Sequence, residues 1–110
     1  MGRYISTTGT AGVVTKEVST TYQAVVNDRI LADSSGATFT ITLPLNASLL
    51  INDTIQIIDA TSSFGTNNVT VARNGSLIQG AADDLTLDLT GAILTMIYTG
   101  PTYGWIVGAV

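Results

Sequence analysis

Side chains able to carry acid–base, nucleophilic or metal chemistry are few in this chain, which has no His and no Cys among its 110 residues. Their absence removes the commonest general base, the commonest transition-metal ligand, the thiolate nucleophile and any disulfide. The one acidic cluster is Asp83-Asp84 with Asp88. Paired carboxylates can serve glycoside hydrolysis or hold calcium, and in an extended strand Asp84 and Asp88 share a face while Asp83 points away. The segment lacks the Gly and the terminal Glu of an EF-hand loop, so a solvated turn is expected and no metal is assigned. Ser and Thr hydroxyls abound, but a nucleophile needs a positioned base, and the only lysine is Lys16 in a loose N-terminal stretch. Gly9-Thr10-Ala11-Gly12 lacks the Gly-Lys-Ser/Thr ending of a phosphate-cradling loop. The chain is therefore read as no enzyme, with no catalytic residue and no cofactor.

Binding chemistry is better represented. Tyr98, Tyr103 and Trp105 could stack on a sugar ring and are the candidate glycan-facing residues, with the loop Ser62 to Asn68 beside them. The competing reading, given more weight, has Trp105 closing one end of the fold and anchoring the last strand, its indole N–H donating to a carbonyl.

These side chains need a scaffold, and the composition limits which one. Charged residues are 11% against about a quarter in a typical globular protein, and mean hydropathy is +0.41. Such a surface is poorly solvated unless it is covered. A membrane could cover it, but the most apolar stretch, Leu43 to Ile58, is broken by Pro44, Asn46, Asn52, Asp53 and Gln56, well short of the roughly 20 residues a span requires. Met1 to Thr10 has no apolar centre of the signal-peptide kind. Four basic against eight acidic residues, with a net charge of −4, disfavour a nucleic-acid backbone as partner. Assembly with other protein surfaces remains.

Thr, Ser, Val and Ile dominate while Lys and Glu are nearly missing, a composition of strands rather than helices. Thr38-Phe39-Thr40-Ile41-Thr42-Leu43 and Leu85-Thr86-Leu87-Asp88-Leu89-Thr90 alternate cleanly, as half-buried strands do. Ile55, Ile57 and Ile58, and again Ile93, Leu94, Met96 and Ile97, are more continuously apolar. They suit a strand buried on both faces, or one whose second face meets another subunit. With turn residues between them, strands are predicted near 22–26, 29–33, 37–43, 54–60, 68–73, 76–79, 85–90, 92–98 and 104–108. Asn74-Gly75 is predicted to form the tip of a two-residue hairpin. The fold class is all-β, a compact β-sandwich or barrel/prism-like module over residues 21–110. Residues 1–20 form an extended N-terminal arm, whose interspersed glycines and polar residues build no core of their own.

Several of these residues together resemble a known family. Leu43-Pro44, Asn52-Asp53-Thr54-Ile55, Ile57, Asp59, Phe64-Gly65-Thr66-Asn67-Asn68-Val69-Thr70-Val71, Arg73-Asn74-Gly75, Tyr98, Tyr103-Gly104-Trp105 and Val107 are similar to a β-module of tailed-bacteriophage virion proteins, the cyanophage type above all. The opening Arg3-Tyr4-Ile5-Ser6-Thr7-Thr8-Gly9-Thr10 resembles the start of short virion proteins of the same group. Asn52 stands where that family commonly has Gly, and Asn also accepts the left-handed turn. The resemblance implies a β-rich, often trimeric module used in head decorations, fibres and tail appendages.

Composition and resemblance together lead to a virion structural protein, assembled in the host cytoplasm and carried on the particle, most consistently as a homotrimeric decorating (cement) protein at local threefold positions of the head. Its partners are other copies of itself and the major capsid protein or another virion protein, with neither nucleic acid nor membrane. The arm offers Arg3, Tyr4, Ile5, Val13 and Val14 to the coat or a neighbouring subunit. The alternative is a tail-fibre module that recognises a host surface glycan.

Overall fold

Short runs in which every second residue is apolar can bury one face only by meeting another sheet, and two sheets form here. The computed structural model describes residues 12–109. Nine strands follow in order: β1 (Val14–Val18), β2 (Tyr22–Gln23), β3 (Asp28–Ala32), β4 (Phe39–Thr42), β5 (Thr54–Asp59), β6 (Val69–Ala72), β7 (Leu85–Leu87), β8 (Ile93–Tyr98) and β9 (Trp105–Ala109). One sheet has the order β1-β3-β5-β8-β9 and the other β2-β4-β6-β7. The chain is all-β, as its composition required.

The first six strands alternate between the sheets. β1, β3 and β5 pair in parallel, and so do β2, β4 and β6, so each turn of the chain lays one strand on each sheet. The first half is thus a coil of stacked parallel strands. The last three strands reverse direction: β7 adds antiparallel to β6, β8 to β5 and β9 to β8. The inward residues Ile30, Ile41, Leu43, Ile55, Ile57, Phe64, Val69, Val71, Met96 and Trp105 are all 0% exposed. Each such side chain contributes about 1.5–3 kcal/mol of burial, so this layer holds the sheets together.

The turns are set by residues that tolerate left-handed backbone. Asn27 (φ 71°), Asn52 (φ 82°) and Asn74 (φ 48°) take it without glycine. Arg73 to Ser76 closes with the Ser76 N–H donating to the Arg73 carbonyl at 3.1 Å, and both Asn74 and Gly75 have positive φ. The predicted turn is present, but the predicted hairpin is not. Beyond it the chain is captured by β9: the Trp105 N–H donates to Leu77 O (2.8 Å) and the Gln79 N–H to Trp105 O (2.7 Å). Ile78 therefore makes only isolated bridges, to Ala81 and Trp105, and the antiparallel partner of β6 is β7.

The arm boundary also differs. Residues 14–18, assigned to the arm by their lack of a clear apolar pattern, pair along their whole length with β3 as the edge of the larger sheet. An edge strand needs few inward apolar residues, and here Val18 alone is buried.

Candidate functional site

The outer face of the five-stranded sheet is the broadest candidate surface. Strand register puts Leu31, Ile58 and Ile93 in one row, with Glu17 at its end on β1. The next row is polar, Thr15, Arg29, Gln56, Thr95 and Gly108, and a third carries Thr54, Ile97 and Ile106. Ile93, Ile97 and Ile106 are each about 40% exposed. The polar row is stitched together, Arg29 Nε donating to Gln56 Oε1 at 2.7 Å and Gln56 Nε2 to Thr95 Oγ1 at 3.3 Å. This face is therefore two apolar rows astride a hydrogen-bonded stripe. The outer face of the smaller sheet is polar by contrast, with Thr40, Thr70 and Thr86 in register.

The carboxylates are occupied in holding the fold. Asp28, 2% exposed on β3, lies 2.8 Å from Lys16 Nζ and accepts from Tyr22 Oη at 2.8 Å and from the Val25 N–H at 3.0 Å. Lys16 on β1 and Tyr22 on β2 thus converge from both sheets and close the first turn of the coil. The hydrogen bond to Asp28, then the one to Tyr22, raises the Lys16 ammonium above its ordinary value. Burial is the first cause that pushes the Tyr22 phenol up, with the Asp28 carboxylate adding to it.

Asp59, 7% exposed at the end of β5, accepts from Ser63 N–H (3.0 Å) at Oδ1, and from Phe64 N–H (3.1 Å) and Gly91 N–H (2.9 Å) at Oδ2. Burial opposes the charge, but the backbone donors of Gly91, Ser63 and Phe64 outweigh it, and the carboxyl stays below its ordinary value. Asp33 is also lowered, first by the Ser35 hydroxyl and then by the Ser35 N–H. Within the Asp83, Asp84 and Asp88 segment, Asp84 Oδ1 accepts the Arg73 N–H at 3.0 Å. Among the described residues, no three His, Cys, Asp or Glu side chains gather where they could share a metal ion.

The proposed aromatic platform does not form. Trp105 is 0% and Tyr98 7% exposed, and they pack edge to face inside the protein with ring centroids 5.6 Å apart. They are cross-strand partners on β8 and β9 with inward parity, so Tyr98 and Trp105 cannot face a glycan, and Tyr103 alone, 62% exposed, reaches the surface. Trp105 anchors the last strand, yet its Nε1 has no hydrogen-bond partner among the described residues, contrary to the expected carbonyl. Gly104 explains the Gly-Trp pair: its φ is +70°, and a Cβ there would lie 2.0 Å from the Leu77 carbonyl oxygen that receives the Trp105 N–H.

Of the arm residues, Arg3, Tyr4 and Ile5 lie outside the described residues. Val13 and Val14 are 57% and 53% exposed. Val13 borders a shallow hollow of about 100 Å³ with Asn27, Arg29, Thr54 and Gln56, at the margin of the outer face. Val14 pairs with Asp28 on the inward side, left open where β1 ends the sheet. Sequence reasoning missed the Arg29–Gln56–Thr95 stripe, because its members lie far apart in the chain and only the pairing register aligns them. The isoleucine runs did signal the rows beside it. No family model matches the chain, and no curated protein matches it.

Proposed function

We propose that this chain is a structural protein of a virus particle, a capsid-decorating protein that binds the head as a homotrimer at local threefold positions. The observation that carries the reading is the outer face of the larger sheet: Ile93, Ile97 and Ile106 stand exposed there on a chain with only 11% charged residues, while Asp28, Asp59 and the one lysine are bound up in the fold. A surface of that kind is made to be covered. The virion is suggested by the resemblance of the Leu43-Pro44 to Gly104-Trp105 pattern to phage modules, and the roles found for Leu43, Asn52, Phe64 and Trp105 are those of a scaffold. The fibre alternative loses support with the burial of Tyr98 and Trp105. Purified protein mixed with undecorated phage heads should co-sediment with them to saturation. Binding to host-type glycans with none to heads would overturn the assignment.

A further inference from the structure

We propose that the outer face of the five-stranded sheet is a contact between copies of this chain, in which Arg29 of one copy meets Glu17 of another. Among the described residues they are the only charged side chains within the paired strands on this face, and they have opposite signs; Asp33, just beyond β3, lines a hollow with Glu17 and Leu31 but is bonded to Ser35. Both are exposed, and neither forms an ion pair among the described residues. They lie diagonally on adjacent strands, since Thr15 is opposite Arg29 and Glu17 opposite Leu31. Gln56 draws the Arg29 guanidinium the other way, towards β5, and engages only its Nε. Each charge is thus left to be matched from outside.

The choice of occupant follows from that pairing. An apolar partner or a lipid surface would cover Ile93, Ile97 and Ile106 but strand Arg29 and Glu17 without counter-charges, which is costly. A second copy brings both signs at once, and a cyclic arrangement can repeat the Arg29–Glu17 contact at every interface. Five strands about 4.8 Å apart and five residues long project a face of about 400 Å². With its polar stripe included, that falls below the roughly 800 Å² per partner of a standard interface. Association should therefore be reversible and concentration-dependent. The inference rests on the same exposed face as the proposed function and on its premise that copies associate, but not on the virus particle.

The test is sedimentation velocity on the isolated full chain across a concentration series, with folding checked by the fluorescence of the single, buried Trp105. The wild type should shift reversibly from monomer to a small oligomer. Glu17→Arg and Arg29→Glu should each weaken association about tenfold or more, and the double reversal Glu17→Arg/Arg29→Glu should recover most of it. The Glu17 side chain makes no hydrogen bond or ion pair among the described residues, so its variant separates interface from stability. A monomer at every concentration overturns the proposal, as does association indifferent to either reversal. Head binding is scored separately by co-sedimentation, so its failure would count against the particle assignment and leave this result standing.

Discussion

Replacing Asp59 tests how this fold is held at the end of β5, beside the outer face of the larger sheet. Asp59 follows Ile58 of the outer face, its N–H donates to the Ala92 carbonyl next to Ile93, and its carboxylate ties the loop after β5 to Gly91. Asp59→Ala leaves three backbone N–H groups without their acceptor. That of Phe64 is buried and costs about 1–3 kcal/mol, whereas those of Ser63 and Gly91 can reach water and cost nearer 1 kcal/mol each, about 3–5 kcal/mol together. Asp59→Asn can keep its oxygen at the Oδ2 position for Phe64 and Gly91 and loses only the Ser63 bond, so about 1–2 kcal/mol is expected. Urea unfolding followed by Trp105 fluorescence measures both. The pH dependence has a definite sign. Because the native carboxyl lies below its ordinary value, its contribution is fully present above the unfolded-state pKa of about 3.9 and fades as pH falls through the native one. The gap between wild type and Asp59→Asn should be flat near neutrality and shrink only in acid. A cost for Asp59→Ala under 0.5 kcal/mol, or a gap unchanged into strong acid, would refute the reasoning.

Other perturbations follow from single contacts. Gly104→Ala should destabilise by about 2 kcal/mol or more, since it combines a left-handed φ with a Cβ driven into the Leu77 carbonyl, and thermal melting reads the loss. Gly75→Val should cost roughly 1 kcal/mol or more, for the same backbone reason and because a Cβ there comes within 2.8 Å of Asn46 Oδ1; an unchanged melting temperature would contradict the turn. Removal of residues 1–20 takes β1 and Lys16 with it and uncovers Asp28 and Ile30, so the truncated chain should melt well below the full one. Acrylamide should quench Trp105 poorly, and added oligosaccharides should leave its emission unchanged, as a fully buried indole requires.

Strand content was legible because alternation is a local property. Spacing alone places Phe39, Ile41 and Leu43 on one face, and all three are buried, while Thr40 and Thr42 look outward. The coil was not legible, because a solenoid announces itself by a fixed repeat and this one has none. Val14 pairs with Asp28 but Arg29 with Gln56, so successive turns differ about twofold in length and leave no period to find. β1 was hidden for a related reason: Val14, Thr15, Lys16 and Glu17 are an edge, and only the register with β3 shows that Lys16 points inward to Asp28. Sequence favours Trp105 as an anchor but leaves the aromatic platform open, because exposure depends on parity within β8 and β9, which an isolated reading of Tyr98, Tyr103 and Trp105 does not fix. The same dependence on register hid the stripe from Arg29 to Thr95, whereas the excess of isoleucine beside it was visible from the start.

The central claim, that this chain decorates a virus head, is tested most directly by counting its copies on purified particles with quantitative mass spectrometry against the major coat protein. Decoration follows the symmetry of the shell, so on the order of hundreds of copies per particle are expected. A count on the order of a dozen would move the protein to a fibre or tail position, and its absence from particles would contradict the claim altogether.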